Sequence, residues 1–96
     1  MDMLEEKRQE IDQIDQALAD LLIRRMEITG QIGVYKAEHG LPVLHTGREK
    51  EVLAQVMDRA PQDDEVLRDA LKTIFQTIMA VSRQDQEKKI VDRRNG

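Results

Sequence analysis

The chain has 96 residues, which is enough for one domain. Charged residues make up 35% of it and apolar residues 40%, a mixture that suits a globular protein and is too apolar for a disordered one. The net charge of −4 argues against a nucleic-acid or anionic-membrane binder, and the lack of cysteine excludes disulfides, thiol nucleophiles and thiolate metal sites.

Targeting and metal-binding signals are also missing from the sequence. Two histidines do not make a convincing zinc site. The first residues lack the apolar stretch of a signal peptide, and no apolar run approaches the length of a membrane span. We therefore expect a cytoplasmic location, with no metal and with neither nucleic acid nor membrane as a partner.

The residue types predict an all-α fold. Straight-chain helix formers dominate the composition, and only two aromatic residues, Tyr35 and Phe75, occur. A sheet would normally use more aromatic residues and more turn signals. The two prolines, Pro42 and Pro61, divide the chain into three predicted helices. We therefore expect one helical domain over residues 1–96.

The first predicted helix is unusually long and runs from about Met3 to about His39. Eight of ten positions spaced three or four residues apart are apolar, and the ten are Leu4, Lys7, Ile11, Ile14, Leu18, Leu21, Arg25, Ile28, Ile32 and Tyr35. Gly30 and Gly33 weaken the helix locally, or allow another backbone or a ligand to come close. Gly40 and Pro42 should end it.

The second predicted helix starts near Thr46 and ends at Ala60 and Pro61. We expect a capping box with Thr46 as the N-cap and Glu49 reaching back to it. Its predicted apolar face consists of Val52, Leu53 and Val56.

The third predicted helix begins after a run of acidic residues at 63–65, which suits the positive end of the helix dipole. It should reach beyond Gln86, and its predicted buried face comprises Val66, Leu67, Ala70, Leu71, Ile74, Phe75, Ile78 and Val81. Residues 88–96 are highly charged and are expected to fray.

The length of the first helix predicts a homodimer. A helix of about 36 residues is roughly 50 Å long, whereas a compact chain of this size has a radius of gyration of about 12–13 Å. One chain cannot cover such an apolar stripe, so two long helices should pack together with interlocked chains. The alternative is a monomer whose first helix bends or breaks at Gly30 or Gly33.

Two cations lie on one face of the first helix. Arg25 interrupts the apolar stripe, and Lys36 follows eleven residues later on nearly the same face. They either extend into solvent or close on a small anion. Arg8 lies about 25 Å before Arg25, so it cannot reach the same small ligand in one chain, but it could do so from an antiparallel partner.

Polar residues also extend the apolar face of the third helix. Ser82 and Gln86 are four residues apart and share a face. Polar residues at the end of an apolar face often mark only the point where a helix reaches solvent. Likewise, the capping box alone would explain the presence of Glu49. Together with the cations they describe a pocket without a nucleophile and base, a metal cluster or a phosphate loop. That pocket suits a small polyanion whose reaction needs positioning and charge stabilisation.

The ordered set of these residues resembles the all-α chorismate mutases over nearly the whole chain, from Arg8 to Gln86. The matching elements are Arg8 followed by Ile11 and Asp15; Leu21, Leu22 and Arg25; Ile32, Gly33 and Lys36; Pro42 and Val43; Arg48 and Glu49; and Phe75 followed by Ile78, Ser82 and Gln86. The resemblance implies an interlocked dimer of three-helix chains with two equivalent sites. It further implies a rearrangement of chorismate to prephenate, a step of aromatic amino acid biosynthesis that needs no cofactor or covalent intermediate.

The resemblance also implies a role for each site residue. Arg25 and the partner's Arg8 would hold the two substrate carboxylates, with a further hydrogen bond from Ser82. Lys36 and Gln86 would contact the ether oxygen, which gains negative charge as its bond breaks. Glu49 would accept a hydrogen bond from the ring hydroxyl or assist Gln86. Arg48 would line the pocket and balance its charge.

One position departs from the family pattern. His45 stands where members often carry an acidic residue, three positions before the Arg–Glu pair. It could be a weaker or pH-sensitive hydrogen-bond partner of the substrate, a loop residue, or a sign of a related substrate with a different group on that ring carbon. Two other functions compete: an isochorismate pyruvate lyase on the same scaffold, and a non-catalytic helical dimer with a regulatory role.

Overall fold

The computed structural model describes residues 2–95, which form three α-helices: α1 (Met3–Glu38), α2 (Thr46–Arg59) and α3 (Glu65–Asn95). The all-α prediction is confirmed, and the number of helices agrees with the division by the two prolines. None of these helices combines the length and the apolar character needed to cross a bilayer.

Helix α1 is continuous over 36 residues and has well-formed ends. The Asp2 carboxylate accepts a hydrogen bond from the Glu5 backbone N–H at 2.8 Å, which satisfies a donor of the first turn. At the other end Gly40 has a φ of +64°, and the Leu41 N–H donates to the Lys36 carbonyl at 2.8 Å. The alternative of a helix broken at Gly30 or Gly33 is therefore wrong for this chain.

The start of helix α2 corrects the predicted capping box. Thr46 is the first helical residue, and His45 is the N-cap, with extended backbone and with Nδ1 accepting from the Arg48 N–H at 3.0 Å. A neutral imidazole nitrogen is a hydrogen-bond acceptor, so it can do what a serine or aspartate oxygen does at this position. Glu49 therefore does not close a box with Thr46 and is available to helix α3.

Helix α3 starts where the acidic run predicted it. The Asp64 carboxylate accepts from the Leu67 N–H at 2.9 Å. One turn on, the Arg68 guanidinium donates to the carbonyls of Met57 and Ala60 at 3.1 and 3.2 Å, which satisfies the end of helix α2. The chain thus joins α2 and α3 through a short, hydrogen-bonded connection.

The helix also continues past residue 88, where the charged tail was expected to fray. Arg93 forms an ion pair with Glu38 at 3.1 Å and so links the ends of helices α1 and α3. Ile90 is half-buried beside these ends. These two contacts give the charged segment a surface to pack on.

Helix α3 packs against both other helices, and it comes close to the backbone of α1 at Gly33. A Cβ atom placed on Gly33 would lie 2.9 Å from Cγ and 3.1 Å from Cα of Gln86, which is too close for most side chains. The glycine therefore lets the two backbones meet, one of the two roles predicted for it. Gly30, one turn earlier, faces the more flexible side chains of Asp85 and Lys89.

A single chain leaves most of its apolar surface exposed. Its radius of gyration is 17.1 Å, against about 12–13 Å for a compact domain of this length. Within residues 2–95 the buried apolar residues are only Ala60 and Met79. Helix α1 exposes a long apolar stripe made of Leu4, Ile11, Ile14, Leu18, Leu21, Ile28, Ile32 and Tyr35. This extended shape, 55 × 31 × 14 Å, is consistent with an intertwined dimer.

The predicted buried face of α3 is wrong for one chain. Leu71, Phe75 and Ile78 are half-buried, whereas the exposed members are Val66, Leu67, Ala70, Ile74 and Val81. One chain supplies only two other helices, and these cannot cover every side of a 31-residue helix.

Candidate active site

The three helices surround a cavity of about 290 Å³. Its lining brings together seven of the eight residues predicted for a site: Arg25, Lys36, His45, Arg48, Glu49, Ser82 and Gln86. The walls also contain Ile28, Thr29, Ile32, Val43, Val52, Met79 and Arg83. The residues fall on one surface although they lie up to 61 positions apart, because α1 and α2 both pack on the same part of α3.

Arg25 and Ser82 form the first polar pair of the cavity. Nη1 of Arg25 donates to the Ser82 hydroxyl oxygen at 2.9 Å. The Ser82 hydroxyl in turn donates to the Ile78 carbonyl at 2.9 Å, one helical turn earlier. Ser82 is only 5% exposed, so its hydroxyl is held in one place. The pair fixes the direction of a guanidinium whose remaining N–H groups are suited to bind a carboxylate.

Lys36 and Gln86 form a second, connected group. Nζ of Lys36 donates to the Val43 carbonyl at 2.7 Å and to Oε1 of Gln86 at 3.4 Å. Nε2 of Gln86 donates to the Thr29 carbonyl at 3.0 Å. Gln86 is 6% exposed, and it and Ser82 are the buried polar residues within residues 2–95. An ammonium group held by two acceptors keeps its third N–H for a ligand.

The wall contributed by α2 contains an ion pair that the sequence analysis missed. Both carboxylate oxygens of Glu49 accept from Nη1 of Arg83, and both side chains are partly buried. Glu49 was expected beside a ring hydroxyl or beside Gln86; its observed partner is Arg83. The spacing along α3 did contain a signal for Arg83. Met79, Ser82 and Gln86 all line the cavity, and Arg83 lies one turn after Met79 and three residues before Gln86.

The remaining α2 residues are less deeply placed. Arg48 is exposed, and its guanidinium donates to Glu51 at 3.2 Å while the side chain still lines the cavity. His45 lines the cavity as well as capping the helix. It is therefore more than a loop residue, and its ring nitrogen Nδ1 is already used by the backbone.

Arg8 lies outside the cavity of its own chain. It is exposed on helix α1, 17 residues before Arg25, which corresponds to about 25 Å along the helix axis. Arg8 therefore does not line the pocket of its own chain.

The charges of the lining residues favour an anionic ligand. Arg25, Lys36, Arg48 and Arg83 carry four positive charges, and the only carboxylate among the lining residues is Glu49. Within residues 2–95 no group of three or more His, Cys, Asp or Glu side chains is arranged to hold a metal ion. The arrangement can bind a small polyanion and offer fixed hydrogen-bond donors to charge that develops during a reaction.

Comparison with known proteins identifies a family. Residues 7–87 match the family described as Chorismate mutase type II, and this segment includes all eight predicted site residues. The match confirms the resemblance drawn from the sequence.

Individual relatives are more distant. The chain is 43% identical over 47 residues to the T-protein of Enterobacter agglomerans and 40% identical over 53 residues to that of Haemophilus influenzae. These segments cover 49% and 55% of this chain but only 13% and 14% of the relatives. A 4-amino-4-deoxychorismate mutase of Streptomyces venezuelae is 37% identical over 57 residues, 59% of this chain and 52% of the relative. No solved structure matches the chain significantly.

Proposed function

The chain belongs to the chorismate mutase type II family, and from this premise we propose that it rearranges chorismate to prephenate. The observation that supports the proposal is that Arg25, Lys36, Ser82 and Gln86 all line one cationic cavity. The reaction is intramolecular: one carbon–oxygen bond of the substrate breaks as a carbon–carbon bond forms. It needs no nucleophile or cofactor, only a fixed substrate conformation and donors for the developing charge.

Substrate binding is assigned to the guanidinium groups. Arg25 takes one carboxylate of the substrate in a bidentate pair, for which lysine would be a poor substitute. Because the Ser82 hydroxyl donates to the Ile78 carbonyl, its main contribution is to orient Arg25. Arg48 adds positive charge at the mouth of the pocket. Arg8 of a second chain would hold the other carboxylate.

Catalysis is assigned to Lys36 and Gln86. The ether oxygen of the substrate gains negative charge as its bond to the ring breaks, so a donor fixed there binds the transition state more tightly than the ground state. Lys36 is held by the Val43 carbonyl and by Gln86, which supports a pre-organised ammonium group. Glu49 accepts a hydrogen bond from the ring hydroxyl, and His45 borders the same wall.

The active form is proposed to be a homodimer with two such sites. The exposed apolar stripe of α1 and the distance of Arg8 from its own cavity support this assembly. In a two-fold symmetric dimer with antiparallel α1 helices, each chain would supply Arg8 to the other chain's pocket.

Three competing functions use the same residues differently. A pyruvate lyase acting on isochorismate would release free pyruvate. A non-catalytic helical dimer would leave chorismate unchanged. Rearrangement of 4-amino-4-deoxychorismate is suggested only by the name of the Streptomyces relative.

The test is an absorbance assay of purified protein with chorismate, isochorismate or 4-amino-4-deoxychorismate, with identification of each product. We expect chorismate to disappear and prephenate to accumulate in equal amount. Free pyruvate from isochorismate would indicate the lyase instead. Unchanged chorismate in the presence of folded, dimeric protein would refute the proposed function.

A further inference from the structure

We infer that Arg83 is a positioning residue for Glu49 and that the pair makes the pocket select a substrate with a neutral ring hydroxyl over one with a ring ammonium. The inference rests on the proposed function and deepens it. It starts from the ion pair that joins Glu49 of α2 to Arg83 of α3 in the wall of the cavity.

The geometry of the pair leaves Glu49 able to accept a further hydrogen bond, but its negative charge is already paired with Arg83. Both carboxylate oxygens share Nη1 of Arg83, yet a carboxylate has about four lone-pair sites, so a substrate hydroxyl can still donate to it. The guanidinium offsets the carboxylate charge. The side chains are 32% and 26% exposed, so solvent screens this effect only in part.

The position of the pair places it at the ring-substituent side of a bound substrate. Arg25 and Lys36 come from α1 and occupy the side assigned to the carboxylate and the ether oxygen. Glu49 comes from α2, on the remaining wall, together with His45 and Arg48. A ring ammonium there would meet Arg48 and Arg83, while the Glu49 charge is already paired. Like charges brought together in this way are a strong source of discrimination.

The inference is tested by measuring kcat/KM for chorismate and for its 4-amino analogue in four proteins: wild type, Arg83→Gln, Arg83→Lys and Glu49→Gln. We expect wild type to prefer chorismate by at least about tenfold, because an ammonium would face the guanidinium groups of Arg48 and Arg83. Arg83→Gln should reduce that preference by about tenfold, since Glu49 then presents an uncompensated charge to the ammonium. Arg83→Lys should retain most of it. Arg59→Gln, an exposed arginine outside the cavity, is the matched control.

A double variant separates positioning from direct contact. If Arg83 acts through Glu49, then Arg83→Gln should change the preference little in the Glu49→Gln background. The inference would be overturned if Arg83→Gln lowered kcat/KM equally for both substrates, or if it changed the preference equally with and without Glu49. In either case, chorismate turnover by wild type would still uphold the proposed function. A wild type that prefers the amino analogue also overturns it. Turnover of neither compound would overturn both.

Discussion

Lys36 is the residue whose charge acts most directly on the proposed reaction. Its ammonium group is half-buried between α1 and the loop that follows, held by the Val43 carbonyl and by Gln86. A donor that is already fixed needs no reorganisation when negative charge develops on the ether oxygen.

Lys36→Ala should therefore lower kcat by ~10²-fold or more, the scale of losing one oxyanion-type donor. Steady-state kinetics with chorismate measure the effect. Lys50→Ala is the control, since that lysine is exposed on α2 and does not line the cavity. Near-normal turnover of a folded Lys36→Ala protein would remove Lys36 from the mechanism.

His45 is at once a helix cap and a pocket residue. Aspartate is a better N-cap than most residues, so His45→Asp should keep the start of α2 intact while it adds a carboxylate to the wall beside Glu49. The activity should change by less than about tenfold in either direction, because one rim hydrogen bond is altered and no donor to the ether oxygen is lost. Complete loss of turnover, with unchanged helical content by circular dichroism, would show that the imidazole itself is required.

The site residues could be predicted to different degrees, for a physical reason. Ser82 and Gln86 share one helical face, and so do Arg25 and Lys36, so regular spacing shows these pairs in the sequence. Arg83 pairs with a residue 34 positions away on another helix, and no local spacing reveals such a contact. Glu49 was assigned to a capping box because its spacing from Thr46 fits one. Its partner on α3, Arg83, is visible only in the folded chain.

At the level of the helices, the contact between α1 and α3 depends on Gly33. The glycine brings the backbone of α1 against Gln86, which carries the hydrogen bonds to Lys36 and to the Thr29 carbonyl. A side chain at position 33 would therefore push against Gln86, a proposed catalytic residue.

Gly33→Ala should destabilise the protein by ~1–3 kcal/mol through overpacking and should lower kcat by displacing Gln86. Gly30→Ala is the matched control one turn away, where the added methyl meets the flexible end of Lys89 at 3.2 Å. That variant should be neutral or gain up to ~1 kcal/mol from helix propensity. Urea unfolding at equal protein concentration measures both. Equal stability of the two variants would show that the close approach at Gly33 is not limiting.

The helices themselves were largely predictable, since the end of α1 follows from Gly40 and the start of α3 from the acidic run around Asp64. The far end of α3 was not, because residues 88–95 stay helical where fraying was expected. The start of α2 was not, because histidine is an uncommon N-cap and Thr46 beside it is a favoured one. The buried face of α3 was also overestimated. A periodic apolar pattern indicates which face of a helix is buried, but it does not show whether the same chain or a second chain buries it.

At the scale of the whole molecule, the chain is extended and leaves a long apolar stripe uncovered. The first 19 described residues, 2–20, are all exposed, although they contain part of the apolar stripe. Arg8 lies in this segment, far from the cavity of its own chain. If a second chain covers the stripe in the proposed antiparallel arrangement, the same contact would bring Arg8 to the other chain's pocket, so assembly and substrate binding should be linked.

This link is the central claim, and subunit mixing tests it most directly. Arg8→Ala and Arg25→Ala proteins should each be dimeric by sedimentation and nearly inactive. Unfolded and refolded together in equal amounts, they should recover about a quarter of the wild-type activity, because half of the dimers are mixed and each mixed dimer has one intact site. No recovery in confirmed mixed dimers would contradict the shared site, and so would full activity in a monomeric wild type.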